Sequence, residues 1–189
     1  METVEPIRDV GQLNALKGQL HRENLRDYTW FVVGINTGLR ISDLLRLKVG
    51  DVRETRTRWK ERIVLREQKT GKRKEFPLSP TIKKALSEYL ATRPSASAQE
   101  ALFPSQKGGR PISRQTAWRI LHNAAKAVGI TDAVGTHTLR KTFGYHAYRQ
   151  GIDITLLQDL FNHAEPRVTL RYIGINRDQR DAVYLSLDL

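Results

Sequence analysis

Apolar residues recur at helical spacing near the start of the chain. Within residues 9–23 they stand three or four positions apart: Val10, Leu13, Leu16 and Leu20. This repeat predicts an amphipathic helix. Leu25–Asn36 is apolar on nearly every side, which predicts a buried helix that ends at Gly38. Ser42 is then the expected N-cap of a short helix, SDLLRL, that ends near Val49 and Gly50.

The pattern changes from helical to strand-like after residue 60. Arg62–Arg66 and Lys74–Leu78 are short, rich in β-branched and aromatic residues, and joined by QKTGKR, in which Gly71 provides the turn. We therefore expect a β-hairpin within a mainly helical protein. The fold class predicted is mainly α with a small antiparallel β-sheet, an α+β architecture.

Helical signals return in the second half of the chain. The expected helices run from Pro80 to about Leu90, from Arg114 to Val128, from a cap at Thr136 to Gly151, and from a cap at Asp153 through ITLLQDLFN. The tail is amphipathic, and its apolar residues need a surface to cover them: Val183, Leu185, Leu187 and Leu189.

Charge is the strongest compositional signal. Thirty-two Lys and Arg against twenty Asp and Glu give a net charge of +12 and a pI near 10.2, which favours a nucleic acid as partner. There is no cysteine, no apolar run long enough to span a membrane, and no basic and apolar leader at the N-terminus. We expect a cytoplasmic, DNA-associated protein that uses no disulfide and no membrane.

The sequence lacks the motifs on which metal and nucleotide sites are usually built. There is no HxxxH pair, DxD cluster, EF-hand loop or Cys/His knuckle. QKTGKRK has the wrong spacing for a phosphate-binding loop and lies in a predicted hairpin. No metal and no cofactor are therefore expected.

Cationic and imidazole side chains stand on several separate elements. His137 and Arg140 are three positions apart at the start of a predicted helix, Arg40 follows Gly38, and Lys69 lies at the hairpin tip. Such groups can bind a phosphodiester and help a tyrosine hydroxyl to attack it without a metal. LFNHAEPRVTLRYIG, with its histidine and tyrosine nine residues apart, offers that hydroxyl.

Four stretches of the chain resemble, in order, the signature blocks of the tyrosine recombinases, or phage integrase family: TGLRISDLLRL, KTGKRKEFPL, HTLRKTFGYH and LFNHAEPRVTLRYIG. The resemblance runs from about residue 6 to the end and implies the catalytic-domain fold of these DNA breaking and rejoining enzymes. Phe161–Asn162 stands where the family more often has Leu-Gly, a departure at the helix end that presents His163.

The resemblance implies a role for each matched position. Arg40 and Arg140 would bind the scissile phosphate, and Lys69 would protonate the leaving 5′-oxygen. His137 would act as base or acid at the nucleophile, and His163 would donate to a phosphate oxygen. Tyr172 would attack and form a 3′-phosphotyrosine. In a supporting role, Asp43 could orient Arg40 or His137.

Two of these assignments have competitors. Lys72 and Lys74 are neighbours of Lys69 in a hairpin whose charges are commonly solvated. Tyr184 is a weaker candidate for the nucleophile. Other cations are expected to contact the DNA backbone: Lys72, Arg110, Arg114 and Arg119.

The implied protein is a site-specific recombinase of a phage or mobile element, acting on double-stranded DNA. We expect one catalytic domain over 1–189, with a core over about 6–172 and a tail over 173–189, and no N-terminal core-binding domain. The tail would dock on a neighbouring subunit of a tetramer on DNA, or fold back onto its own domain.

An accessory DNA-bending or directionality protein is a further possible partner. The alternatives are a type IB topoisomerase-like enzyme and a non-catalytic DNA-binding relative.

Overall fold

The computed structural model describes residues 4–106 and 108–186. Within these ranges the chain forms ten helices and two strands. The first part of the chain contains α1 Val10–Glu23, α2 Leu25–Thr37, α3 Ile41–Leu45, α4 Val49–Val52, β1 Arg62–Arg66 and β2 Arg73–Pro77. The second part contains α5 Pro80–Ala91, α6 Arg114–Ala127, α7 Thr138–Arg149, α8 Ile154–Phe161, α9 Pro166–Tyr172 and α10 Ile175–Ser186.

Side-chain caps fix the ends of the first two helices. Asp9 accepts a hydrogen bond from the backbone N–H of Gln12 at the start of α1. Asn24 separates the helices and caps α2 by accepting from two backbone N–H groups of its first turn. Gly38 ends α2 with φ of 60°, a left-handed conformation that suits glycine. The predicted helices are confirmed here.

The short helix after α2 differs from the sequence prediction. Arg40, and not Ser42, is the N-cap of α3, so Ser42 lies inside the helix. Helix α3 ends at Leu45, and a separate turn, α4, follows. The prediction of a single helix over SDLLRL is therefore wrong. Because α3 begins at Ile41, before the predicted start, Arg40 lies at its N-terminal end.

The hairpin forms one antiparallel pair, in which Ile63 lies opposite Phe76 and Arg66 lies opposite Arg73. The first strand matches the prediction, while the second begins and ends one residue earlier than the predicted Lys74–Leu78. The cause is the turn, where Glu67 and Lys72 are joined by a backbone hydrogen bond of 2.9 Å. That bond brings Arg73 into the ladder.

The four helices predicted after the hairpin begin at the expected places with one exception, while α9 was not among the predicted helices. Ser79, Ser113 and Asp153 each accept a backbone N–H through their side chains at the starts of α5, α6 and α8. Helix α7 instead takes His137 as its N-cap, with no side-chain cap, and the predicted cap at Thr136 is wrong. His137 is thereby held at the helix start.

The C-terminal tail forms α10, which follows directly on α9. Ile175 is buried at its start, but Tyr184 and Leu185 are each 79% exposed. Leu185 is thus an apolar residue of the tail that lacks a covering surface in the isolated chain, as the sequence predicts. Leu187, Leu189 and the Val183 side chain lie outside the described residues.

Two hydrophobic clusters hold the elements together. The larger joins α1 to α6 and the start of α7, with Trp30, Phe31 and Phe103 fully buried. The smaller lies between α7, α8 and α9 and is centred on Phe161 and Ile173. No helix within the described residues is long and apolar enough to cross a membrane. The mainly α-helical fold with a small antiparallel sheet is confirmed.

Close packing of α2 on α7 requires a glycine at position 34. A Cβ placed there would lie 2.3 Å from Cδ2 of Leu139 and 3.1 Å from Cδ2 of Leu44. We expect Gly34→Ala to lower the free energy of unfolding by about 1–3 kcal/mol through overpacking. Gly18→Ala is the matched control, because a Cβ there meets only the Arg22 guanidinium, at 3.5 Å.

Urea denaturation of both variants measures this effect. The control should become more stable by about 0.5–1 kcal/mol through helix propensity alone. Equal stabilisation by the two substitutions would contradict the close contact between α2 and α7.

Candidate active site

Arg40 lies at the N-terminal end of α3 and contacts a buried carboxylate. Its Nη1 is 2.6 Å from Oε1 of Glu67, whose side chain is 1% exposed. The other carboxylate oxygen of Glu67 accepts a hydrogen bond from the Thr70 hydroxyl at 2.7 Å. Burial alone would raise the pKa of Glu67, but Arg40 and Thr70 outweigh it and hold the pKa below its usual value. Glu67 is therefore an anion that anchors Arg40.

Asp43, one turn after Arg40, is bonded to the hairpin. Its Oδ1 accepts from the backbone N–H of Gln68 at 2.9 Å, directly before Lys69. Its Oδ2 is buried without a hydrogen-bond partner among the described residues. The carboxylate that pairs with Arg40 is thus Glu67, a residue that the sequence analysis did not identify.

Arg140 is a buried cation, with only 3% of its surface exposed. Its Nη1 donates to the Gly38 carbonyl at 2.6 Å and its Nη2 donates to the Phe161 carbonyl at 3.0 Å. The guanidinium also lies 4.4 Å from the centre of the Phe161 ring. Arg140 therefore joins the end of α2 to the end of α8.

His163 lies in the turn between α8 and α9. Its Nδ1 is 3.0 Å from the hydroxyl of Thr169, which is fully buried. The Gln158 side-chain amide donates to the carbonyls of His163 and Ala164 and fixes the path of the turn. With Nδ1 turned to Thr169, Nε2 is the nitrogen available for a ligand.

Tyr172 ends α9 and lies among the other candidate residues. Its hydroxyl is 3.3 Å from Nδ1 of His137, and its ring packs edge-on against His163 and Phe161 at centroid distances of 5.1 and 5.7 Å. Burial raises the pKa of Tyr172, and the opposing charge of Arg140 only partly offsets this effect. The hydroxyl is thus protonated at neutral pH.

Both histidines are held in the neutral form. Burial lowers the pKa of His137, and Arg114 and Arg140 lower it further. Burial also lowers the pKa of His163, with Arg140 as the largest charge effect. A neutral imidazole can accept a proton, and the hydroxyl of Tyr172 is the group that lies 3.3 Å from Nδ1 of His137.

An open cleft of about 380 Å³ runs beside these groups. Its walls include Arg40, Lys69, Arg114 and His137. Lys69 is exposed in the hairpin turn, next to the cleft. Arg110 is exposed in the preceding loop and does not line this cleft.

The chain is similar to known recombinases over nearly its whole length. The phage integrase family profile matches residues 9–179. The chain is 42% identical over 184 residues to the probable integrase/recombinase YoeC of Bacillus subtilis (strain 168), with 97% of each chain covered. It is 39% identical over 145 residues to the tyrosine recombinase XerD of Mycobacterium leprae (strain TN), covering 72% of this chain.

The chain belongs to the phage integrase family. The expectation of a tyrosine recombinase catalytic domain is confirmed, and these comparisons do not favour a type IB topoisomerase.

Solved structures agree with this fold. The crystal structure of XerA recombinase superposes with a TM-score of 0.76 at 25% identity, covering 100% of this chain and 65% of that one. XerH recombinase bound to its palindromic difH substrate superposes with a TM-score of 0.71 at 19% identity, covering 97% of this chain and 53% of that one. The chain also spans only 44% of the length of the M. leprae XerD.

Lys74 lies close to Arg140, Glu67 and Arg40, although the sequence analysis treated it only as a competitor of Lys69. Its Nζ donates to the Leu160 carbonyl at 3.1 Å. Burial lowers its pKa to about 8, with a further contribution from Arg140, while Glu67 opposes the shift. The alternation of side chains between the two faces of β2 could have identified Lys74, because it puts Lys74 on the same face as Phe76.

The lowered pKa of Lys74 makes stability depend on pH. An unfolded lysine has a pKa of about 10.4, so between about pH 8 and pH 10 the unfolded chain binds more protons at this position than the folded chain. We expect the stability of the wild type, relative to Lys74→Met, to rise between pH 7 and pH 9.5. Urea denaturation at the two pH values measures it.

Lys84→Met, which removes an exposed lysine of α5, is the control for a general charge effect. A stability difference between wild type and Lys74→Met that stays constant with pH would contradict the burial of this ammonium group.

Proposed function

We propose that this domain performs site-specific DNA recombination, cleaving and rejoining DNA through a 3′-phosphotyrosine on Tyr172. The observation that carries the proposal is the surroundings of the Tyr172 hydroxyl. It lies 3.3 Å from the neutral imidazole of His137 and within the electrostatic influence of Arg140 and Arg40. This proximity supports the roles of Tyr172 as nucleophile, His137 as base and the two arginines as phosphate-binding cations.

The scissile phosphate would bind between the two arginines and His163. A guanidinium has five N–H donors, and the Gly38 and Phe161 carbonyls accept from only two of the nitrogens of Arg140. The remaining donors of Arg140, those of Arg40 and Nε2 of His163 would neutralise the non-bridging oxygens as charge grows in the five-coordinate transition state.

Phosphate binding would also trigger proton transfer from the nucleophile. In the unbound chain, burial lowers the pKa of His137 and the surrounding cations lower it further. A bound phosphodiester adds a negative charge that offsets these cations and raises the basicity of the imidazole. His137 then accepts the Tyr172 proton while the bond between the tyrosine oxygen and phosphorus forms.

The leaving group needs a proton of its own. The bond between phosphorus and the 5′-oxygen breaks, its electron pair stays on that oxygen, and Lys69 donates a proton to it. Lys69 lines the same cleft as Arg40 and His137, which supports this assignment. The phosphotyrosine conserves the phosphodiester bond energy, so attack by a 5′-hydroxyl reverses each step and rejoins the strand without an external energy source.

Cations around the cleft would hold the double-stranded DNA. Arg114 lines the cleft itself, while Arg110 and Lys72 lie on exposed turns. The net charge of +12 supports a strong, salt-dependent contact with the phosphate backbone. These contacts would set the register of the DNA and leave sequence choice to other side chains.

Assembly on DNA is part of the proposal. The exposed Tyr184 and Leu185 of α10 favour docking on a neighbouring subunit of a tetramer over folding back onto the same chain. An accessory DNA-bending or directionality protein would then choose between integration and excision. We place the reaction in the cytoplasm of a bacterial or phage-infected cell, within the single catalytic domain expected over 1–189.

Covalent trapping tests the nucleophile. Nicked duplexes from a randomised pool would be incubated with the protein, so that cleavage releases a short fragment and prevents rejoining. After denaturation in SDS, we expect a DNA adduct with wild type and none with Tyr172→Phe, because the phenylalanine has no oxygen to attack phosphorus. Gel electrophoresis of labelled DNA measures the adduct.

Tyr184→Phe is the matched control and should form the adduct as wild type does, since Tyr184 is exposed on α10. An adduct that persists in Tyr172→Phe would contradict the proposed nucleophile. DNA binding without any adduct in wild type would favour a non-catalytic relative.

A further inference from the structure

Asn162 has an unusual backbone conformation at the end of α8. Within residues 4–106 and 108–186 it is the one non-glycine residue with a positive φ, of 53°. Glycine adopts the left-handed conformation without strain, and asparagine tolerates it better than most side chains because its short polar group can hydrogen-bond locally. The contacts of the Asn162 side chain therefore decide whether it does more than end the helix.

The side chain of Asn162 bridges two charged residues of the hairpin. Its Nδ2 donates to Oε2 of Glu67 at 3.3 Å, and its Oδ1 accepts from Nζ of Lys72 at 3.0 Å. The amide N–H thus donates to the carboxylate of Glu67, and the amide oxygen accepts from the ammonium group of Lys72. Each of the two hydrogen bonds is strengthened by a charge. Through Glu67 the chain of contacts continues to Arg40.

A third contact joins the same two elements. Nζ of Lys74 donates to the Leu160 carbonyl, one of the last carbonyls of α8, where a cation is favoured by the helix dipole. We call this set the hairpin–α8 clamp: Glu67, Lys72 and Lys74 of the hairpin with Leu160 and Asn162 of the α8 end.

The clamp holds Lys69 from both sides. Glu67 precedes Lys69 by two residues and Lys72 follows it by three. The turn itself is closed by backbone bonds from Glu67 to Lys72 and from Gly71 to Glu67. Lys69 is exposed, so its place beside the cleft depends on how the whole turn is held.

The clamp also links Lys69 to the phosphate-binding groups. His163 follows Asn162 directly, and Glu67 contacts Arg40. A shift of the hairpin would therefore move Lys69 relative to both His163 and Arg40. Because proton transfer requires approach to hydrogen-bond distance, such a shift would slow the departure of the 5′-oxygen.

We propose that Asn162 is a positioning residue that holds the hairpin against the α8 end, so that Lys69 reaches the leaving 5′-oxygen. This inference rests on the proposed function and adds to it a residue whose role is carried by its contacts with Glu67 and Lys72. It predicts a defect confined to protonation of the leaving group.

Asn162→Gly tests the inference with two DNA substrates. Glycine keeps the left-handed backbone and removes both side-chain contacts. One substrate has the natural 5′-oxygen at the cleavage site, and the other has sulfur in its place. Thiols ionise near pH 8.5, so the P–S bond breaks with the electron pair left on sulfur and without a proton donor.

We expect Asn162→Gly to form the adduct about 10- to 100-fold more slowly than wild type on the oxygen substrate, consistent with the cost of a misplaced catalytic group. On the sulfur substrate the rates of the two proteins should agree within about twofold. The difference should also vanish on the oxygen substrate in a Lys69→Ala background, because two residues that act through one step are not additive.

Lys72→Met removes one of the two contacts. Because Lys72 is also a proposed contact to the DNA backbone, this variant is compared with wild type at saturating DNA, where it should give a smaller defect with the same sulfur rescue. Urea denaturation checks that Asn162→Gly is folded. Equal slowing on both substrates, an unchanged or faster rate on oxygen, or additivity with Lys69→Ala would overturn the role of Asn162. Failure of wild type to form an adduct on either substrate would instead contradict the proposed function.

Discussion

A buried positive charge organises the candidate site. The guanidinium of Arg140 lies where α2, α7 and α8 meet, and it is held by the Gly38 and Phe161 carbonyls and by the Phe161 ring. A cation in this position is costly unless its hydrogen bonds are made, so the ends of α2 and α8 must stay close to it. Arg40 follows one of these ends and His163 follows the other, which brings His163 within the electrostatic influence of both arginines.

The remaining charges balance this concentration of cations. Glu67 is buried against Arg40, and the backbone-bonded Asp43 lies one turn away. Two histidines with lowered pKa values and a tyrosine with a raised pKa add no charge of their own to the unbound site at neutral pH. A phosphodiester would supply the missing negative charge. Under the proposed function, substrate binding itself would prepare His137 to take the proton of Tyr172.

The sequence predicts the helices well, because helical periodicity is a local signal. Its four ordered blocks supply the candidate catalytic residues, because each block is local as well. It does not predict the contacts of Glu67, Lys74 and Asn162. In the sequence the hairpin resembles a solvated run of charges, and these contacts arise only because α8 packs beside it. The caps at Ser42 and Thr136 fail for a related reason. Arg40 and His137 are the N-caps of these helices. Tertiary contacts therefore override the local preference for a hydroxyl side chain at a helix start.

The central claim is that one chain contains the complete site, with Tyr172 facing the arginines of its own α3 and α7. Mixing two inactive variants tests it most directly. Tyr172→Phe and Arg40→Gln, each first shown to bind DNA, would be combined on the nicked substrate and assayed for the covalent adduct. We expect the mixture to form none, because neither chain has both the nucleophile and Arg40. An adduct restored on mixing would mean that the tyrosine of one subunit reaches the arginines of another, and it would contradict this account.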